Sequence, residues 1–93
     1  MHAVVGRVKI DTGREDEARK FLHEFVVPSA KGMAGFAGGY WTRALDEDTG
    51  SSLVLFDSEE NARAAAAQMA EGPPPGGPVS FMSATVCEVL AQA

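Results

Sequence analysis

The stretch GFAGGYWTRALDEDTGSSLVLF, residues 35–56, carries the only tryptophan and the only tyrosine of the chain, adjacent at Tyr40 and Trp41. Arg43 follows two residues later, and a guanidinium beside an indole suits an acidic or aromatic ligand. On a strand, neighbouring side chains point to opposite faces, so Tyr40 and Trp41 cannot form one stacked pair, while Trp41 and Arg43 share a face. Two readings of Trp41 stay open: it borders a ligand cavity, or it packs at a sheet or dimer interface. Phosphate-gripping glycine loops follow a strand and open a helix. Gly32, Gly35, Gly38 and Gly39 instead leave a helix and enter a strand, so they read as a flexible, gating connection. Arg7 and Lys9 share one face of the first strand, and an inward-facing Arg7 would need an acid or a ligand beside it. His2, His23 and Cys87 have no metal-ligand spacing, so neither a metal nor a cofactor is expected. Cys87, within TVCEV, reads as a small buried hydrophobe. No pattern assigns a nucleophile or a general base.

These residues need elements to position them. HAVVGRVKI, residues 2–10, is rich in β-branched residues and splits into His2/Val4/Gly6/Val8/Ile10 on one face and Ala3/Val5/Arg7/Lys9 on the other, as a strand does. Thr12 or Gly13 is expected to start a helix whose stripe is Ala18, Phe21, Leu22 and Phe25, with Glu15, Asp16 and Glu17 at the positive end of its dipole. Pro28 is expected to limit it. GYWTRAL, residues 39–45, and SSLVLF read as a hairpin around the turn DEDTG. DSEENARAAAAQMAEG is a second helix, with Asp57 or Ser58 as its cap, an Asp57/Glu60 capping box, and Gly72–Pro73 as its stop. Its small stripe, Ala62, Ala65, Ala66 and Met69, lets it lie close to a sheet. VSFMSATVCEVL follows the PPPGGP connector as the last strand.

The order β-α-β-β-α-β and right-handed crossovers predict a ferredoxin-like α+β fold: a four-stranded antiparallel sheet with both helices on one face, spanning residues 1–93 as one domain. Leu53, Val54, Leu55, Phe56, Phe81, Met82, Val86, Val89 and Leu90 put apolar side chains on both strand parities. The face away from the helices should therefore be covered, and a second copy packed sheet to sheet about a twofold axis would cover it. A 93-residue chain buries only roughly 60–65% of its unfolded surface, so a homodimer would also enlarge a small core.

Composition limits the partners. Thirteen acidic and eight basic residues give a net charge of −5, and the basic ones are scattered. Nucleic-acid binding calls for a basic stripe, because phosphate neutralisation supplies most of the affinity, and an anionic membrane surface makes the same demand. Neither partner is expected. The start, MHAVVGRVKIDTGRE, has no basic region followed by an apolar one, and one cysteine fits a reducing compartment, so a cytoplasmic location is expected.

The strand VVGRVKI followed by DTGREDEARKFL, the entry GFAGGYWTRAL, and above all VLFDSEENARAAA resemble the dimeric α+β barrel superfamily, in particular small proteins of the antibiotic-biosynthesis-monooxygenase type. The resemblance spans the chain and rests on caps and turns. It implies a homodimer with a small aromatic or hydrophobic ligand between helices and sheet or inside the barrel. It also implies cofactor-independent monooxygenase-like chemistry, or a ligand-binding module without catalysis. Trp41, Arg43, Arg7 and Phe56 are then the candidate ligand contacts. The haem-degrading branch places an Asn, a His and a Trp close together; the available residues here are Asn61, His23 and Trp41, and they do not map onto that constellation.

Overall fold

The computed structural model describes residues 1–93. Strands β1 (His2–Ile10), β2 (Phe36–Arg43), β3 (Thr49–Phe56) and β4 (Val79–Glu88) form one sheet in the order β2-β3-β1-β4, every neighbouring pair antiparallel. Helices α1 (Glu15–Phe21) and α2 (Val27–Lys31) are joined without a break by a π-helical turn, Leu22–Val26, and α3 (Glu59–Ala70) forms the second crossover. The chain thus has the ferredoxin-like α+β fold. Both helical layers sit on the same sheet face. Val4 packs with Ala62 and Ala65 of α3, and Ile10, of the same strand parity, packs with Ala18 of α1.

Four local expectations need correction. The first helix begins at Glu15, and the preceding Arg14 caps it with no side-chain bond; the Gly13 N–H is taken by the Glu15 carboxylate at 3.1 Å. Pro28 does not end that helix. Proline withdraws an N–H and crowds the carbonyl four residues earlier, which a regular α-helix cannot absorb. Here the turn ahead of it is widened, and the Val27 N–H bonds to Leu22 O, five residues back. The helix runs on to Lys31. Strand β2 begins three residues earlier than the pattern suggests and ends at Arg43, and Thr49 and Gly50 already pair in β3, so the hairpin connection is residues 44–48. Finally, Ser58 caps α3 by accepting from Asn61 N at 3.1 Å, while Asp57 accepts from the Asn61 side chain at 2.8 Å. The Asp57/Glu60 box does not form because the cap lies one residue later.

The core is in two parts. Val4, Val54, Phe56, Ala62 and Ala65 form a dense cluster under α3, where the alanine stripe lets the helix approach the strands. Ile10, Ala18 and Val79 form a smaller one near the start of α1. Between them the first helix stands off the sheet. On the far sheet face Tyr40 is 72% and Leu53 41% exposed, with Leu55 and Val5 half-buried beside them. No helix is long and apolar enough to cross a membrane.

Candidate functional site

The space under the first helix is a cleft of about 510 Å³. Its origin is a mismatch of side-chain sizes. The sheet floor is paved with Gly6, Gly50, Ser52 and Ala84, while the wall above is built from Phe21, Leu22, Phe25 and Val26 of the first helix and Met33 just beyond it. Large residues hold the backbones apart and small ones do not reach up to fill the gap. Gly50 and Gly6 are required to be small: a Cβ on Gly50 would sit 2.8 Å from Thr42 O, and one on Gly6 would sit 2.7 Å from Ser52 Oγ. Met69 of α3, Phe81 of β4 and the Pro73–Pro74 segment also border the cleft. Of the stripe Ala18, Phe21, Leu22 and Phe25, Ala18 belongs to the core and all four border the cleft. Phe25 remains 61% exposed, with its ring centroid 5.6 Å from that of Phe21.

Trp41 projects into this cleft. Its ring lies back over Gly39, where a Cβ would meet the indole at 3.0 Å, and it packs against the edge of the α3 cluster. Tyr40 points out of the opposite face. The other candidate contacts are placed differently. Phe56 is fully buried beneath α3 and does not line the cleft. Arg43 ends β2 and borders a separate cleft of about 330 Å³ with Asp46, Glu47 and Asp48 of the hairpin loop and Glu15 at the start of α1. Arg7 borders the main cleft, but strand alternation directs its exposed side chain to the open sheet face. The four are not brought together.

No Asp, Glu, His, Lys, Cys or Tyr lines the main cleft. His23 is exposed, and Asn61 is engaged with Asp57, so neither joins Trp41. His2 Nε2 lies 3.8 Å from the Glu59 carboxylate, and its Nδ1 is buried without a partner, away from the cleft. Cys87 is half-buried and its thiol donates to Thr85 O at 3.7 Å. No group of three or more His, Cys, Asp or Glu side chains is arranged to hold a metal ion. The perturbed titrations fall on surface ion pairs. A two-pronged hydrogen bond from Arg14 draws the Glu17 carboxyl below the usual range and raises Arg14 itself, and Arg63 lowers Glu59 in the same way. Arg14 also donates to Asp11 and to the carbonyls of Gly76 and Gly77 at 3.1 and 3.2 Å, which ties the connector that borders the cleft to the start of α1.

Sequence reasoning missed Ser52 and Gly6. Their signal was a pair of small residues interrupting apolar faces, Gly6 within His2/Val4/Val8/Ile10 and Ser52 ahead of Val54 and Phe56, at positions that β1 and β3 pair directly.

The chain matches no protein-family model and no curated protein sequence. Among solved structures it is similar to the heme-degrader MhuD from Mycobacterium tuberculosis with two hemes bound in its active site, at a TM-score of 0.74 and 20% identity over 100% of this chain and 99% of that one. It is also similar to a single-residue variant of MhuD with two manganese protoporphyrin IX bound per active site, at a TM-score of 0.70 and 19% identity over 100% and 98%. The heme-free protein gives a TM-score of 0.64 at 21% identity over 100% and 99%. Identity at this level carries the fold alone, and this chain shares the ferredoxin-like α+β fold of those structures.

Proposed function

We propose that this protein binds a small aromatic or hydrophobic molecule in the cleft between its first helix and the sheet, as an oxygenase-like member of its fold. The observation that carries the reading is the cleft itself, about 510 Å³ with Trp41 on its wall. That volume lies within the range of small-molecule sites. The cleft is half open to solvent, so the space is filled by water or by a ligand. Water against apolar walls is readily displaced by an apolar molecule. With no acid or base on the walls, oxygen chemistry here would need a ligand that enters uncharged, gives its electrons to dioxygen itself and loses its proton to water at the open side of the cleft. Ligand binding without turnover is the second reading, favoured by the same missing groups.

Titration with the neutral fluorophore N-phenyl-1-naphthylamine tests the site: saturable emission enhancement with quenching of Trp41 is the expected result, and no enhancement overturns the reading. Oxygen uptake with 1,8-dihydroxynaphthalene then separates turnover from binding. Heme is the ligand of the structural neighbours, but this cleft offers no imidazole, thiolate or phenolate to iron. Hemin titration is expected to leave the Soret band unmoved. The open sheet face bearing Tyr40 and Leu53 is the surface through which two copies would associate.

A further inference from the structure

The cleft holds few polar side chains, and one of them is fixed in the floor with nothing to bond. Ser52 of β3 pairs with Gly6 of β1 on one side and with Trp41 of β2 on the other. All three share the face that carries Val4 and Val54, so hydroxyl and indole look into the cleft together. The Ser52 side chain leans over Gly6, at the place a Cβ would occupy. Two other hydroxyls of the hairpin are satisfied locally: Thr42 donates to Ser51 O at 2.8 Å and Thr49 to the Glu47 carboxylate at 3.4 Å. Ser52 makes no such bond, which leaves one donor and two acceptor positions free toward the cavity. Ser51 and Ser83 pair with Arg7 and share its parity, and like Ser29 on α2 and Gln68 on α3 they are solvent-exposed, where water competes for them; Ser52 is half-buried.

We propose that Ser52 is the specificity-determining anchor of the cleft. It takes a carbonyl or hydroxyl oxygen of an uncharged, ring-sized ligand that lies beside Trp41, and Gly6 is the gap that lets the anchor stand there. This rests on the ligand-binding reading above. The ligand is uncharged because no ionised side chain faces the cleft, and an ion buried there would go unpaired. Its oxygen is directed to Ser52 because leaving a buried hydroxyl or its partner unmatched is costlier than the bond itself is favourable.

The single tryptophan gives one indole N–H resonance, so Trp41 in the ¹⁵N-labelled full chain reports occupancy directly. The probes are naphthalene, 2-naphthol and 2-naphthoate. The wild-type protein is expected to bind 2-naphthol about five- to tenfold more tightly than naphthalene, the yield of one net hydrogen bond, and 2-naphthoate most weakly. Ser52→Ala is expected to abolish the preference for 2-naphthol, with naphthalene bound as tightly as by the wild type or more tightly, and Ser52→Thr to keep it. Should Ser52→Ala fail to fold, Ser52→Gly serves as the deletion. A preference that survives removal of the hydroxyl, equal binding of naphthalene and 2-naphthol by the wild type, or tightest binding of 2-naphthoate overturns the assignment and leaves the binding site standing. Silence of the indole resonance to all three probes overturns both the anchor and the proposed function.

Discussion

At the residue scale, each side chain's task follows from its position in the register. Trp41 and Arg43 have the same parity on β2, but only Trp41 lines the main cleft; Arg43 ends the strand and meets acidic residues of the hairpin loop and the start of α1. Pattern reading could pair them on a face and could not foresee where the cleft stops. Arg7 was legible as sharing a face with Lys9, yet nothing in one strand says which face the helices take. Ser58 carries the cap of α3, so Ser58→Ala is expected to cost about 1 kcal/mol, read as a fall of roughly 4–8 °C in the thermal midpoint. Glu17 and Glu59 are held below their ordinary value of 4.5 by Arg14 and Arg63. Their contribution to stability is complete above that value and is lost as pH falls through the lower folded-state values. Glu17→Gln is expected to flatten the acid limb of a stability–pH profile, and added salt to shrink the difference, because these pairs are exposed.

At the element scale, the first helix is where reading by periodicity falls short. Its apolar stripe and Pro28 are both plain in the sequence, but a widened turn that carries the helix through the proline depends on how the two halves dock. Strand order, the alanine helix and its stop at Gly72 were legible because caps and periods are local. A π turn is in effect an α-helix with one residue too many. Deleting the exposed Glu24 would set Pro28 inside a regular turn, at a cost of about 3 kcal/mol, so the thermal midpoint is expected to fall. It would also re-aim Phe25 and reduce N-phenyl-1-naphthylamine binding several-fold; calorimetry and the fluorescence titration check the two halves of this expectation. At the other end of the cleft Arg14 binds two connector carbonyls. Arg14→Lys cannot reproduce a fork of fixed donors. Faster exchange of the Gly76 and Gly77 amides is expected in that variant.

At the scale of the whole molecule, the sheet is covered on one side only. The exposure of Tyr40 and Leu53 fits the reading of a face that meets a second copy, and sedimentation of the wild-type chain is expected to give twice the monomer mass. Leu53→Asp would put a charge at the centre of that contact and is expected to yield a monomer. Sequence reading reached this face through the double parity of the apolar residues, since a strand apolar on both sides has two things to cover.

The division of the core has a consequence for how long the molecule survives. The β1–β3–α3 half is densely packed, while α1 and the π turn rest on a cleft and make few buried contacts, so they should open first and most often. A guest wedged between that helix and the sheet would close the weak half, and at a hundred times its dissociation constant it would add about 2.7 kcal/mol. Proteases would then sort occupied from vacant molecules. The cellular abundance of this protein would rise and fall with the supply of its own ligand, and resistance to limited proteolysis would identify that ligand from a mixture before any activity is known.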